Sequence, residues 1–179
     1  DNWKPYACQK WPVLICLSRR WGIYLHIGAG VNSQEIIILS LLGVSIKNNK
    51  EQQELFRLMQ CNDQPIVLCT GNAGTGKTFT ALLSALQLKE DKKYKNIVYG
   101  RNPFPMGYDM GALPGGLDEK YDPYMGPLYD NLEAITRLSE YHLNANDLAA
   151  KIEVLPLAFL RGRSFQDTIL IIDEAQNLD

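Results

Sequence analysis

Histidine is almost missing from this 179-residue chain, with only His26 and His142, and the four cysteines at 8, 16, 61 and 69 are scattered. Neither residue type shows the close pairing from which a zinc cage is built. The spacing points to reduced, structural thiols. A chain of this length buries roughly 70% of its unfolded surface and needs no disulfide to hold a core. An excess of one charge is also lacking: 18 Lys+Arg stand against 20 Asp+Glu, a formal net charge of −2. That balance excludes a strongly basic nucleic-acid module and a polybasic membrane binder, though not a local basic groove. No apolar run reaches the ~20 residues of a membrane-spanning helix. The Trp11–Leu17 run stops at Arg19-Arg20, and Glu35–Val44 is broken by Ser40 and Gly43. No charged-then-apolar leader with a small-residue cleavage site is visible. The expectation is a soluble, cytoplasmic chain without a membrane partner. Internal repeats and low-complexity tracts are absent as well.

Methionine does not occur before Met59, and tryptophan does not occur after Trp21. Residues 1–43 carry Lys4, Lys10, Arg19 and Arg20 against Asp1 and Glu35, whereas the remainder is acidic on balance. This shift divides the chain into an N-terminal extension, 1–43, of unstated role, and a domain over 44–179. A start without Met and a stop at Asp179, directly after a motif, read as a piece of a longer protein.

From residue 44 onward, helical and strand signals alternate. Helical spacing marks Asn49–Gln60, Lys77–Glu90 and the stretch from Leu128 to Leu138. Short apolar runs at Pro65–Thr70, Asn96–Gly100, Ile152–Leu157 and Thr168–Asp173 read as buried strands. Pro103–Pro123, rich in Gly and Pro, reads as a loop. Such alternation implies βαβ units, so the class expected is α/β with a parallel sheet.

Chemistry concentrates at Gly71-Asn72-Ala73-Gly74-Thr75-Gly76-Lys77-Thr78. Gly, four residues, then Gly-Lys-Thr is the phosphate-binding loop of nucleotide hydrolases. Glycines at 71, 74 and 76 permit backbone conformations barred to other residues and let the chain wrap closely around phosphate. Loop amides and the following helix N-terminus point N–H groups at the anion. Lys77 is expected to reach the β- and γ-phosphates, and the Thr78 hydroxyl to ligate Mg2+. The plainer alternative is a Gly-rich turn followed by a chance Lys-Thr. At a glycine usage of about 7%, that coincidence arises in roughly one chain in a hundred or fewer. The flanking strand and helix also supply the context the motif demands.

A second signal is the strand Thr168–Ile172 delivering Asp173-Glu174-Ala175-Gln176. A carboxylate at a strand's C-terminal end holds the Mg2+ hydration shell in such proteins, a role for Asp173, with Glu174 polarising the attacking water. Alone, an Asp-Glu pair there reads equally as a solvated helix cap. Third, Asn49-Lys50-Glu51-Gln52 precedes the loop by about twenty residues. An amide side chain can read an adenine edge, while Asn49 reads as an ordinary N-cap; both fit together if Gln52 meets the base.

Three blocks carry a specific resemblance: GNAGTGKTFTA at Gly71–Ala81, the segment from Arg101 to Leu132, and IEVLPLAFLRGRSFQDTILIIDEAQN at Ile152–Asn177. The chain resembles the PhoH-like family of P-loop ATPases over roughly residues 41–179, and departs from it at Asn72, where Pro is usual, and at the inserted Asn102. The family's name points to phosphate starvation. The resemblance implies ATP binding and hydrolysis with Mg2+ on a RecA-like core. It assigns Gly74, Gly76, Lys77 and Thr78 to phosphates and metal, Asp173 to the metal, Glu174 to water, Gln176 to sensing the γ-phosphate and Gln52 to adenine. It also implies a homo-oligomer. Arg161 and Arg163 read as a solvated pair or, alternatively, as an arginine acting on a neighbouring subunit's ATP. Tyr121, Tyr124 and Tyr129 of the middle block read either as half-buried aromatics or as part of a loop that contacts single-stranded nucleic acid by stacking. Rival readings are an RNA- or single-stranded-DNA-coupled motor, a ribonuclease-associated ATPase, a P-loop small-molecule kinase and a nucleotide sensor that does not hydrolyse. In this class, the strand lying between the two motif strands follows the Asp-Glu motif. The chain, truncated after the Walker B strand, is therefore expected to lack it and to show incompletely paired edges beside the motif strands.

Overall fold

The computed structural model describes residues 13–18, 39–46, 49–60, 66–101 and 125–177. In chain order the elements are β1 (Val13–Ser18), β2 (Leu39–Leu41), β3 (Val44–Ile46), α1 (Lys50–Gln60), β4 (Ile66–Gly71) and α2 (Lys77–Glu90). They continue with β5 (Asn96–Arg101), α3 (Gly126–Leu138), α4 (Ala145–Ala149), β6 (Ile152–Pro156) and β7 (Thr168–Asp173). Short 3-10 turns follow β6 at Leu157–Leu160 and β7 at Ala175–Asn177.

Five strands form one parallel sheet in the order β4-β1-β7-β5-β6. Period-two alternation assigns its faces. Ile169, Ile171 and Asp173 on β7 are buried on the side of the helices, whereas Leu170 and Ile172 are only half-buried. Along β5, Ile97 and Tyr99 join the same core as α2. Helix α2 packs against α1 and α3, and α4 packs against α3. Thr80 through Leu86, together with Leu88, are all buried. A helix apolar all round in this way is one covered on every side, and α2 is the centre of the helical layer.

The α/β class with a parallel sheet, read from the alternation, is the observed one. Helix α2 has the expected bounds, and the other expected helices and strands lie within a residue or two of theirs. One expectation is corrected in part. The position between β4 and β7 is filled by β1, which runs parallel to both, with Val13 opposite Ile66 on one side and Leu170 on the other. Strand β4 has a neighbour on one side only among the described residues. The Pro103–Pro123 loop lies outside the described residues.

The boundary drawn after residue 43 falls within a tight turn. Leu42 and Gly43 connect β2 to β3 with φ of 48° and 74°, both positive as a type I′ hairpin turn demands. A leucine in that region is strained, and the surroundings hold it there. Its N–H donates to Gln87 Oε1 at 2.8 Å, and its carbonyl accepts from Ser139 Oγ at 2.5 Å. The Gly43 carbonyl accepts from the Glu140 amide at 3.0 Å. The hairpin is thereby fastened to α2 and to the end of α3.

A Cβ on Gly43 would stand 3.0 Å from the Glu140 amide nitrogen. Gly43→Ala is expected to cost about 1–3 kcal/mol of stability, read as a lower urea midpoint at unchanged slope. A midpoint equal to the parent's would count against this account of the turn.

Candidate functional site

The Gly71–Thr78 loop leaves the end of β4 and enters α2. Gly74 and Gly76 take φ of 77° and 80°, the left-handed region open to glycine without penalty. Gly76 is the N-cap of α2, and no side chain caps the first turn, so those amides retain the donors with which a helix N-terminus binds an anion. Lys77 folds back over its own loop, its Nζ donating to the carbonyls of Gly71 at 3.0 Å and Asn72 at 2.7 Å. Thr75 Oγ1 also donates to the Asn72 carbonyl.

Helix α1 approaches the loop from the side. Asn49 caps it, accepting from the Gln52 amide at 3.0 Å. The Gln52 side chain donates to the Thr75 carbonyl at 3.2 Å. It lies so close to the loop that a Cβ on Gly76 would sit 2.5 Å from Gln52 Nε2. Gln52, Leu55, Cys69, Lys77 and Thr80 line a small hollow between α1 and the loop. Thr80 Oγ1 is buried and has no hydrogen-bond partner among the described residues. Burial pushes the Cys69 thiol up to about 11, with the Lys77 charge pulling the other way.

The second half of the site comes from the strand ends. Register places Arg101 of β5 opposite Asp173 of β7. Asp173 is only 4% exposed. Its Oδ1 accepts from the Thr78 hydroxyl at 3.1 Å, which joins the loop to β7. Its Oδ2 accepts from the Tyr99 phenol at 2.6 Å and lies 3.9 Å from the Arg101 guanidinium. Burial first, and then the Asp173 charge, push the Tyr99 phenol well above its ordinary pKa, so it remains a protonated donor. Glu174, at φ 53°, turns sharply off the strand end, and its carboxylate accepts from the Gln176 side-chain amide.

Lys77, Thr78, Asp173 and Gln52 therefore meet around one loop. Glu174 and Gln176 pair with each other just beyond β7. Thr78 and Asp173 supply hard oxygen donors of the kind Mg2+ takes. Among the described residues there is no group of three or more His, Cys, Asp or Glu that could hold a metal ion. Both arginines, Arg161 and Arg163, are exposed; Arg163 is ion-paired to Glu153 at 2.9 Å and lies 5.2 Å from the Phe165 ring centroid. Tyr129 is 42% exposed on α3, while Tyr121 and Tyr124 lie outside the described residues. Tyr99 escaped the sequence reading. The available signal was its buried face on β5, shared with Ile97, because a buried tyrosine hydroxyl demands a partner. Which partner follows only from the strand register.

A family model described as PhoH-like protein matches residues 45–179. Protein PhoH2 of Bacillus subtilis (strain 168) is 42% identical over 139 residues, covering 76% of this chain and 31% of the relative. A PhoH-like protein of the same organism is 39% identical over 145 residues, 80% of this chain and 44% of the relative. Protein PhoH of Escherichia coli (strain K12) is 32% identical over 129 residues, 72% of this chain and 36% of the relative. The chain spans less than half the length of these relatives. No described helix is long and apolar enough to cross a membrane.

The thiol pKa gives a direct check. Because the folded value lies above the unfolded one, folding favours the protonated form; any stability tied to it is complete below about pH 9 and falls as pH rises through 11. At pH 8 the thiolate fraction at Cys69 is about a hundredfold below that of the unfolded chain. Alkylation mapped to Cys69 is expected to be slowed at least that much in the native protein, and equal rates in urea and in buffer would contradict it.

Proposed function

Because this chain belongs to the PhoH-like family, we propose that it binds ATP together with Mg2+ at the Gly71–Thr78 loop and hydrolyses it. The observation that carries the reading is the 3.1 Å contact between Thr78 Oγ1 and Asp173 Oδ1, groups 95 residues apart in sequence. It sets a hydroxyl at the start of α2 against a carboxylate at the end of β7, beside a loop built for phosphate. Thr78 and Asp173 would be the residues to hold Mg2+, which when bound would supply charge neutralisation at the triphosphate. The loop amides and Lys77 bind and orient the triphosphate, with Lys77 exchanging its loop carbonyls for phosphate oxygens. Gln52, already against Thr75 and Gly76, borders the base. Glu174 orients the attacking water and takes its proton, and Gln176 holds the Glu174 carboxylate in place. Catalysis on this reading is positioning and electrostatics, with no covalent step on the protein.

The adjacent Asp173-Glu174 pair favours hydrolysis over transfer to a small-molecule acceptor, since activating water is a hydrolase's need. Lys77→Ala is expected to weaken ATP binding at least about tenfold, the loss of a charge-assisted contact. Equal affinity in this variant and the parent would refute the loop assignment. Glu174→Gln is expected to keep ATP affinity while lowering turnover by about 10²–10⁴. Turnover measured with and without single-stranded RNA separates a plain ATPase from an RNA-coupled motor. Binding with no turnover in the parent would leave a nucleotide sensor.

A further inference from the structure

The two oxygens of Asp173 keep different company. Oδ1 faces the Thr78 hydroxyl, whereas Oδ2 is taken by the Tyr99 phenol at 2.6 Å, with the Arg101 guanidinium at 3.9 Å. Tyr99 is fully buried in the layer beneath the site. It sits opposite Ile171, two residues before Asp173 on the neighbouring strand. Two residues of strand rise, about 6.6 Å, match the reach of a tyrosine side chain, so the phenol lies along β7 and ends at the carboxylate. A neutral donor is suited to this task. It fixes the carboxylate's rotation while leaving its negative charge for a cation, whereas a cationic donor in full contact would compete with that cation.

Resting on the Mg2+-nucleotide reading above, we propose that Tyr99 is a positioning residue whose hydroxyl pins Oδ2 of Asp173, so that Oδ1 faces Thr78 and the site takes Mg2+ with ATP tightly. Without the phenol, the carboxylate turns about its terminal bond and presents either oxygen. The charge persists, but the geometry is lost. Ligand-orienting partners of this kind typically govern metal affinity by 10–100-fold, and a carboxylate that retains Thr78 and Arg101 belongs at the lower end.

The test is Tyr99→Phe, which keeps the ring and deletes the hydroxyl. Binding of a fluorescent ATP analogue is titrated with Mg2+ and, separately, in its absence. The expected result is a rise of about tenfold in the Mg2+ concentration at half effect, with affinity in the absence of Mg2+ unchanged within about twofold. A lower unfolding midpoint with an unchanged Mg2+ requirement, or equal losses with and without Mg2+, would reduce Tyr99 to a packing residue and overturn the proposal. A parent protein whose nucleotide binding ignores Mg2+ would overturn the functional reading and this inference together. A responsive parent beside an equally responsive variant overturns the inference alone. Should the Phe variant not fold, 3-fluorotyrosine at position 99 serves instead. A fluorine resonance that moves with Mg2+ plus ATP and not with ATP alone supports the proposal, and identical spectra overturn it.

Discussion

A carboxylate almost sealed from water sets the terms for the rest of this structure. Asp173 is 4% exposed at the end of a central strand, and an ionised group in that setting is costly unless each oxygen is met by a donor or a cation. Two elements meet the demand. The start of α2 brings Thr78, and β5 brings both Tyr99 and Arg101. The parallel register that puts Arg101 opposite Asp173 is thus not interchangeable with a neighbouring one. A slip of one residue would turn Tyr99 to the opposite face of the sheet and leave a buried charge without its closest donor.

The helical layer supports the same arrangement from above. Helix α2 is buried from Thr80 to Leu86 and again at Leu88, so the loop that precedes it is carried by a helix embedded in the core. Helix α1 touches that loop through the Gln52 side-chain amide, which donates to the Thr75 carbonyl. The β2–β3 turn fixes the far side of α2 through Gln87. Rigid support close to a phosphate-sized loop is what positioning catalysis needs, because its rate depends on geometry more than on reactive groups.

Much of this was legible in the residues. The helix from Lys77 to Glu90 announces itself by a glycine before it and an apolar face within it. Asn49 caps α1 as its polar start suggests, and Thr168–Asp173 reads as a strand that delivers its last residue to a site. Other parts were hidden for identifiable reasons. The run at 13–18 is apolar without periodicity, and its partners lie about fifty and more than 150 residues away, so nothing local marks it as part of the sheet. The turn at Leu42-Gly43 lacks the Asn-Gly or Asp-Gly pair that usually signals a two-residue hairpin; hydrogen bonds from distant residues hold it. Helix α4, five residues long, is too short for periodicity to show. The Tyr99–Asp173 contact is a product of register, which a single sequence states only weakly.

The position of β1 also bears on the order in which the molecule can assemble. It is the first described strand in the chain, yet it lies between β4 and β7, and β7 is the last. During synthesis, β1 can lie beside β4 once Gly71 has emerged, but its other edge stays bare until Thr168–Asp173 arrives. Loop closure over such separations is entropically expensive, and folds dominated by distant pairings form slowly. The loop and its opposing carboxylate are therefore brought face to face only at the pairing of β7 with β1, and a chain paused before it exposes an unpaired strand edge, the feature by which nascent proteins aggregate.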